Sequence, residues 1–397
     1  MSASCIGIVA DDLTGGAAIA GEIARPGQPV PVIRLEKTCP LPAQTLVVET
    51  SSRYMPGAQA AARVEQAVSR LQQAGFTLLM KKIDSTLKGN VATELAAFAR
   101  ATAGRVVIVA ACPTMQISVR EGWQWKAAEK GVDVAGLVGD ALGWRPDVLP
   151  LATVREGKTA VSAWFRQHAS PVIVADAESQ RDIQQLVDGA RQAGIDGFAG
   201  VYGLGQALAG LSEPAMPPPP DGAHRLLVMS GSTSRANMAQ IDWLVAQGAE
   251  AITIDVAALC GEQHRSEMAR LSAAIAASRS PVVLLHTDAK NSAAVVREVC
   301  RARGWNDRDL AQALAAPFAE AVRQLPQAGL FLVGGETTGA LFDLQGWQTL
   351  RVNGEFSATV SIARVPATQH PAIFTKPGAF GAETVLHDVA RWLLPHL

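Results

Sequence analysis

Short apolar runs alternate with longer segments of helical period along the first half of the chain. Apolar positions recur every three or four residues in segments such as 58–74, 91–100 and 179–193, as in helices that cover a core. Continuous apolar strands joined by such helices are typical of a parallel sheet covered on both faces. The predicted strands are residues 5–10, 45–49, 78–83, 106–110 and 171–175.

A proline-rich stretch interrupts this alternation and marks a boundary. It contains Pro214 and four consecutive prolines at 217–220, which no helix or central strand accommodates. We therefore predict an N-terminal domain of residues 1–213, a linker of residues 214–222 and a C-terminal domain of residues 223–397.

The alternation then begins again in the second half of the chain. Residues 349–364 alternate between apolar and polar positions like antiparallel strands, and a last helix is predicted at 383–394. The whole pattern predicts the α/β class: two domains, each with a mostly parallel sheet flanked by helices, and antiparallel strands near the C-terminus. The further predicted strands are residues 226–229, 251–255, 281–286 and 330–333.

Composition excludes several classes of protein. The chain of 397 residues is 48% hydrophobic and carries a net charge of −1, without the basic blocks expected of a nucleic-acid-binding protein. Five cysteines without a CxxC pair, and seven histidines without HxH or HExxH spacing, argue against a disulfide framework and a structural zinc site. Neither a signal peptide nor a membrane-spanning run is apparent, so we expect a cytoplasmic protein that does not bind membranes.

Two adjacent carboxylates, Asp11 and Asp12, follow the first predicted strand in the sequence IGIVADDLTGG. Ligands bind at the carboxyl ends of strands in an open parallel sheet. Because adjacent strand residues point to opposite faces, we expect one carboxylate to approach a substrate hydroxyl and the other to orient the turn. Capping of the following helix is an equally open reading for either residue taken singly.

Polar groups also follow two other predicted strands. The loop KKIDSTLKGN combines cations, hydroxyls and a helix N-terminus, which together suit a carboxylate or phosphate, although a solvated basic loop is the alternative. Arg53 follows the strand at 45–49 and has the geometry for a bidentate clamp on a carboxylate, unless it is an ordinary surface arginine. These strand ends predict a site for a small hydroxylated anion. The side chains of the loop are Lys81, Lys82, Asp84, Ser85, Thr86 and Lys88.

The C-terminal half contains three turns of small residues, each before a predicted helix, and two of them directly follow a predicted strand. Glycine lets backbone N–H groups approach a ligand, and a helix N-terminus favours an anion. Together the turns predict a site for a nucleotide and its phosphates, although any one of them alone is more simply an ordinary strand-to-helix turn. The turns are SGSTS at residues 230–234, GGETTG at 334–339 and KPGAFG at 376–381.

A competing phosphate-binding motif occurs in the N-terminal half. The sequence ATVREGKT, residues 152–159, has relaxed Walker A spacing with Lys158 at the lysine position. Such a loop needs small residues so that its backbone can wrap phosphates. Here Val154 is β-branched and Glu156 is a carboxylate, so we reject the motif.

The motifs together resemble those of the four-carbon acid sugar kinases, a family of bacterial two-domain enzymes. The resemblance covers nearly the whole chain and implies a kinase that uses ATP, with Mg²⁺ bridging phosphate oxygens, to phosphorylate a small sugar acid. It is carried by ADDLTG at residues 10–15, KKIDSTLKGN at 81–90, MSGSTS at 229–234, VGGETTG at 333–339 and KPGAFGAE at 376–383.

The resemblance also implies roles for individual residues. Asp12 is the expected base for the attacking hydroxyl, and Lys82 is expected to hold the γ-phosphate. Metal ligands are left unassigned. Residues expected near the acid are Asp11, Asp12, Arg53, Lys82, Asp84, Ser85, Thr86 and Lys88. Residues expected near the nucleotide are Ser232, Ser234, Gly334, Gly335, Glu336, Thr337, Thr338 and Gly378.

Three departures from the family pattern lie on the substrate side. Ala17 and Ala18 stand where the first motif usually continues to an aspartate, Lys88 replaces an arginine, and CPTMQISVREGWQW at 112–125 replaces a proline-rich segment. The identity of the acid therefore stays open. A binding protein with reduced catalysis is one alternative. A nicotinamide-dependent oxidoreductase is another, but no GxGxxG follows the first strand. The oligomeric state stays open, with a homodimer compatible with these expectations.

The rejected motif and the glycine turns make opposite predictions about ATP binding. We expect Lys158→Ala to bind ATP as the unmodified protein does, and Gly335→Val to lose binding because a branched side chain blocks the approach of phosphate. Equilibrium binding of ATP to both variants measures this. Loss of binding in the lysine variant, with binding kept in the glycine variant, would reverse the assignment.

Overall fold

The computed structural model describes residues 5–37, 44–232, 234–287, 289–366 and 368–397, without the side chains of residues 289–293 and 307. Thr233, within the predicted SGSTS turn, lies outside these ranges. The chain divides into two compact units. One consists of the N-terminal segment up to Ala24 together with Val30–Ala215, and the other of Arg25–Pro29 together with Met216–Leu397. The division falls inside the predicted linker 214–222.

The first unit is built on eight parallel strands with helices between them. Their spatial order is β2-β3-β1-β4-β11-β5-β10-β9. The strands are β1 (Ile6–Ala10), β2 (Val30–Arg34), β3 (Thr45–Glu49), β4 (Leu78–Lys82), β5 (Val106–Val109), β6 (Ile117–Arg120), β7 (Trp123–Lys126), β8 (Glu129–Asp133), β9 (Asp147–Leu149), β10 (Val172–Ala175) and β11 (Gly197–Gly200). The helices are α1 (Leu13–Ile23), α2 (Gly57–Gln73), α3 (Val91–Thr102), α4 (Val134–Leu142), α5 (Leu151–Arg155), α6 (Lys158–Gln167), α7 (Gln180–Gln192) and α8 (Leu204–Leu208), with a 3-10 turn at Pro113–Met115.

The five predicted N-terminal strands are present, but β2, β9 and β11 were not predicted. Strand β11 has the sequence GFAG, which lacks the β-branched residues of a strand pattern. Its glycines serve close packing instead. A Cβ on Gly197 would lie 2.5 Å from the carbonyl oxygen of Arg105 on the neighbouring chain segment.

The segment 112–125 forms much of a separate three-stranded antiparallel sheet, β6-β7-β8, which was not predicted. The buried carboxylate of Asp176 attaches it to the main sheet. This carboxylate accepts the backbone N–H groups of Glu121 (2.9 Å) and Gly122 (3.0 Å) in the turn between β6 and β7, and that of Leu151 (3.3 Å). Strand β10 therefore ends in an anchor for this small sheet. It does not end in the metal-binding aspartate that a Walker motif would require.

The rejected Walker-like motif has no phosphate-binding loop. Helix α5 runs through Arg155, and α6 begins at Lys158 after a short turn. Arg155 pairs with Glu178, and the backbone N–H of Lys158 donates to Gln185 Oε1 at 2.8 Å. The structure thus agrees with the rejection.

The second unit has five parallel strands in the order β13-β14-β12-β15-β18, extended by the antiparallel strands β17 and β16. The predicted alternation at 349–364 is thus confirmed as β16 and β17. The elements are β12 (Leu226–Ser230), α9 (Arg235–Ala246), β13 (Glu250–Ile254), α10 (Val256–Cys260), α11 (His264–Ala277), β14 (Val282–Thr287), α12 (Ala289–Arg303), α13 (Asp307–Gln324), β15 (Gly329–Val333), α14 (Gly335–Gln345), β16 (Thr349–Ser357), β17 (Val360–Arg364), β18 (Ile373–Lys376) and α15 (Val385–Leu393).

The predicted fold class is confirmed in both units. Apolar strand residues such as Val228, Phe331 and Phe374 pack with Leu386 and Val389 of the last helix in one buried cluster. Among the described residues, no helix is long and apolar enough to cross a membrane.

Removal of the Asp176 carboxylate is expected to destabilise the first unit. In Asp176→Ala, three backbone N–H groups lose a charged acceptor, so we expect the free energy of unfolding to fall by about 1.5–3 kcal/mol. Urea unfolding measures the change. The exposed Asp140→Ala serves as control, and an equal effect of both substitutions would contradict the anchoring role.

Candidate functional site

The carboxyl ends of three neighbouring strands bring the predicted acid-binding residues together. In the first unit β1 lies between β3 and β4, and Ala10 pairs with Glu49 on one side and Lys82 on the other. Residues that follow these strands therefore meet at one edge of the sheet. This edge collects the groups that the sequence placed on three separate loops.

Arg53 is the centre of this cluster. Its Nε lies 2.7 Å from Asp11 Oδ2, its Nη1 lies 2.8 Å from Asp12 Oδ2, and its Nη2 lies 3.7 Å from Asp84 Oδ1. The guanidinium side chain is 13% exposed, and the surrounding carboxylates raise its pKa well above the ordinary value although burial acts to lower it. Arg53 is therefore no ordinary surface arginine. Its guanidinium group binds two carboxylates of the protein itself, Asp11 and Asp12.

Asp12 caps helix α1. Its Oδ1 accepts the backbone N–H of Gly15 at 2.7 Å, and its Oδ2 accepts the hydroxyl of Thr14 at 3.0 Å as well as Arg53 Nη1. A Cβ on Gly15 would lie 2.5 Å from Asp12 Oδ1, so glycine is needed beside this cap. Both oxygens of Asp12 are thus engaged.

Asp11 reaches the same arginine, so the expectation that the two carboxylates face opposite sides is wrong. The cause is that β1 ends at Ala10, and the chain is already turning into α1 at Asp11 and Asp12. The role predicted for one of the two carboxylates, orientation of the turn, falls to Asp12. Asp11 Oδ1 has no hydrogen-bond partner among the described residues, although Asp11 is only 3% exposed.

The electrostatics of Asp11 keep it ionised. Burial acts to raise the pKa of its carboxyl, but the charges of Arg53, Lys81 and Lys82 outweigh this effect and hold the pKa well below its usual range. A buried, ionised oxygen without a partner is an acceptor suited to a ligand hydroxyl.

The two lysines at the end of β4 do different work because they point to opposite faces of the strand. Lys81 Nζ lies 2.8 Å from Glu94 Oε2 on α3, and both side chains are fully buried. Lys81 therefore belongs to an internal ion pair and is not a cation of the loop. Lys82 is 4% exposed, and its Nζ donates to the carbonyl of Ile83 at 2.6 Å.

Asp84 folds the loop that follows. Its Oδ2 accepts two hydrogen bonds from Thr86, one from the hydroxyl and one from the backbone N–H at 2.9 Å. The same oxygen accepts the backbone N–H of Lys88 at 3.2 Å. Gly89 has a positive φ of 83°, and a Cβ there would lie 2.7 Å from Arg53 Cγ. Ser85 is buried, whereas Lys88 is exposed at the loop surface.

Two amide side chains, which were not predicted, donate hydrogen bonds to backbone carbonyls of the loops that form this site. Asn90 Nδ2 donates to the carbonyls of Ser52 (2.9 Å) and Met55 (2.7 Å), which fixes the backbone around Arg53. Gln124 Nε2 donates to the carbonyl of Ser85 at 3.2 Å from the small antiparallel sheet. Asn90 immediately precedes α3, but its side chain makes no capping hydrogen bond, and no sequence signal points to Gln124.

In the second unit the three small-residue turns meet at one edge. Strands β12, β15 and β18 are neighbours, and each ends in one of the turns. A Cβ on Gly231 would collide with Thr337, and a Cβ on Gly378 would collide with Ser232. The glycines therefore permit direct contact between the turns, as a shared nucleotide site requires.

Hydroxyl and amide groups tie these turns together. Ser234 caps α9 and donates to the carbonyl of Gly378 at 2.6 Å. Asn237 Nδ2, which was not predicted, donates to Ser230 Oγ and to the carbonyl of Ser232, both at 2.8 Å.

The GGETTG turn has the geometry of a helix N-terminus that is open to a ligand. Gly334 has a positive φ of 103°, which a residue with a side chain rarely adopts. Its N–H donates to the carbonyl of Lys376 at 3.0 Å, and its own carbonyl accepts the hydroxyl of Thr338 at 2.7 Å. Helix α14 begins at Gly335, with Glu336 in its first turn.

The described residues contain no group of three or more histidine, cysteine, aspartate or glutamate side chains that could hold a metal ion. The acidic groups of the first unit are instead neutralised by Arg53. Backbone N–H groups and hydroxyls dominate the turns of the second unit, and such donors suit phosphate.

Two family models match the chain, one in each unit. Residues 6–131 match a sugar-binding N-terminal domain and residues 227–386 match a nucleotide-binding C-terminal domain. The matches thus define a two-domain protein that combines these two kinds of domain.

Relatives of known name extend over nearly the whole chain. A D-threonate kinase from Cupriavidus necator is 31% identical over 96% of this chain and 95% of its own length. A 3-oxo-tetronate kinase from Methylobacterium radiotolerans is 28% identical over 95% of this chain and 96% of its own length. The chain belongs to the four-carbon acid sugar kinase family.

A crystal structure from Salmonella typhimurium LT2, described as that of a candidate tRNA synthase, has a TM-score of 0.79 and 22% identity. The matched region covers 97% of this chain and 98% of the Salmonella chain. This likeness supports the fold of the chain.

Arg53 is expected to make stability depend on pH. In Arg53→Met the buried carboxylates lose their partner, and we expect a loss of about 3–5 kcal/mol at pH 7. The folded-state pKa of Asp11 lies below the ordinary value of 3.8, so this stabilisation is complete above about pH 4 and is lost as the pH falls toward the folded-state pKa. The difference from the unmodified protein should therefore shrink at pH 3. Urea unfolding at both pH values, with the exposed Arg301→Met as control, measures this, and a difference independent of pH would contradict it.

Proposed function

We propose that the protein transfers the γ-phosphate of ATP to a hydroxyl of a four-carbon sugar acid. The observation that carries this proposal is the buried, ionised Asp11 Oδ1, which has no partner among the described residues and lies in the unit that matches a sugar-binding domain. A hydroxylated ligand supplies the donor that this oxygen lacks. The family membership and the match to a nucleotide-binding domain support ATP as the second substrate.

The acid would be held by the loop after β4. Lys82 and Lys88 supply positive charge for its carboxylate, and the hydroxyl of Ser85 supplies a further donor. The hydroxyl of Thr86 already donates to Asp84 and can accept a hydrogen bond from the acid. Asp84 shapes this loop through its bonds to Thr86 and Lys88. Lys82 is also our candidate for the cation that meets the transferred phosphate, because it is the lysine at the end of β4 that is not paired with Glu94.

The proton acceptor is one of the two adjacent carboxylates. The sequence prediction named Asp12, but its oxygens are occupied by the Gly15 N–H, the Thr14 hydroxyl and Arg53. The contacts favour Asp11 as the group that receives the hydrogen bond of the attacking hydroxyl. Asp12 then acts through the orientation of Arg53 and of helix α1.

The nucleotide would occupy the joined turns of the second unit. Backbone N–H groups beside Gly335 and Gly378, with the hydroxyl of Thr337, provide donors for phosphate oxygens. The Gly334 N–H and the Thr338 hydroxyl shape the turn instead, because they donate to the carbonyls of Lys376 and Gly334. Ser234 links the SGSTS turn to the carbonyl of Gly378, and Ser232 Oγ accepts the N–H of Ser234 within the SGSTS turn. Mg²⁺ would be held mainly by the phosphates, and its charge would neutralise the phosphate oxygens.

The domain assignment belongs to the same proposal. Residues 1–213 would bind the acid, residues 223–397 the nucleotide, and residues 214–222 would connect them. A homodimer and a cytoplasmic location stay predictions.

Release of ADP with a panel of four-carbon sugar acids tests the function. We expect turnover with at least one acid, and a fall in kcat of about 10²–10⁴-fold in Asp11→Asn because the attacking hydroxyl loses its acceptor. Asp12→Asn should lower kcat as well and should also lower the melting temperature, since it removes one of the buried negative charges that pair with Arg53. The exposed Asp140→Asn is the control.

Each outcome assigns the function or rejects it. Full turnover in Asp11→Asn together with loss in Asp12→Asn, at unchanged stability, would restore Asp12 as the base. Binding of ATP and acid without any ADP release would mean a binding protein that lacks the chemistry. Neither binding nor release with any acid would refute the proposal.

A further inference from the structure

The turn KPGAFG is held in an unusual way at the end of β18. Its residues Pro377–Ala382 lie in no helix or strand, yet most of their carbonyl groups are hydrogen-bonded by only two side chains. One is Lys376, from the end of β18, and the other is Gln240, from helix α9. Neither residue has a role in the site proposed above.

Lys376 is fully buried beneath the turn. Its Nζ donates to the carbonyls of Pro377 and Phe380, both at 2.9 Å. Burial also lowers the pKa of its ammonium to about 7, because the charge is removed from water. If the side chain served only for packing, an apolar residue would fill the space without the free-energy cost of burying an ammonium group. The two hydrogen bonds to carbonyls are therefore what a lysine provides at this position and an apolar residue does not.

Gln240 completes the arrangement from the other side. Its Nε2 lies 3.1 Å from the carbonyl oxygen of Phe380, and 3.0 Å from those of Gly381 and Ala382. The residue is fully buried, and a Cβ on Gly381 would touch both Gln240 Nε2 (3.3 Å) and Lys376 Cδ (3.5 Å). The two side chains thus lie together under one turn.

The backbone N–H groups of the same turn differ from its carbonyl groups. The backbone N–H groups of Gly378, Ala379, Phe380 and Gly381 donate to no described residue. A turn whose carbonyls are drawn inward exposes its N–H groups outward, and successive unpaired N–H groups form a concavity that binds anions. The closeness of Gly378 to Ser232, and the hydrogen bond from the Gly334 N–H to the Lys376 carbonyl, place the turn beside the other two turns.

We propose that Lys376 and Gln240 are positioning residues that hold the KPGAFG turn with its N–H groups toward the phosphates of the nucleotide. They act through the backbone of the turn and do not touch the nucleotide themselves. This inference rests on the proposed function, since it requires that ATP binds at the joined turns.

The test uses variants of similar length that cannot donate a hydrogen bond. We expect Gln240→Met to raise the KM and the dissociation constant for ATP about tenfold, since the turn loses bonds worth roughly a factor of ten in an equilibrium constant. The kcat at saturating ATP and the KM for the acid should stay within about twofold, because bound nucleotide restores the turn equally in the ground and transition states. Lys376→Met should act in the same direction and more strongly.

Controls separate positioning from structural support. Gln247→Met, on the exposed end of the same helix, and Lys158→Met should change neither constant. Gln240→Glu keeps the size of the side chain but turns carboxylate oxygens toward three carbonyls, so it should impair ATP binding at least as much as Gln240→Met. If Lys376→Met does not fold, the two Gln240 variants still decide the question.

The outcomes also separate this inference from the function on which it rests. If the unmodified protein binds no ATP, the proposed function fails. If it binds ATP and Gln240→Met lowers the melting temperature without changing the KM for ATP, the residue is only structural and the inference fails alone. A fall in kcat at unchanged KM would equally overturn it.

Discussion

The contact of Arg53 with three carboxylates is the interaction on which the first unit's site depends. Asp11, Asp12 and Asp84 come from two different strand ends, and their mutual repulsion would drive them apart without a shared cation. Arg53 offers a planar fork that satisfies two of them directly. The same contact leaves Asp11 Oδ1 without a hydrogen-bond partner among the described residues, and this oxygen is the acceptor that the proposed function uses.

Both candidate sites use the same property of parallel sheets. Neighbouring parallel strands end at one edge, so loops far apart in sequence are brought together without any long-range signal. In the first unit this edge gathers charged side chains around Arg53. In the second it gathers small residues around Gly231 and Gly378, where close packing of backbones replaces charge.

The sequence was sufficient for the groups that we propose to lie beside a ligand and insufficient for those behind them. Asp11, Arg53 and two of the three glycine turns follow predicted apolar strands, which is a local signal. Gln124 and Gln240 lie within ordinary strand and helix patterns, and their partners are backbone carbonyls that leave no mark on the sequence. The opposite pointing of Asp11 and Asp12 was wrongly expected because strand geometry stops at Ala10.

The small sheet β6-β7-β8 is fastened to the rest of its unit largely through backbone atoms. Asp176 holds N–H groups of its turn, and Gln124 holds the carbonyls of Ser85 and Ala110. Anchors of this kind do not depend on which side chains the segment carries elsewhere. Apart from Gln124, the side chains of segment 112–125 can therefore differ while the segment keeps its place beside the Ser85 loop.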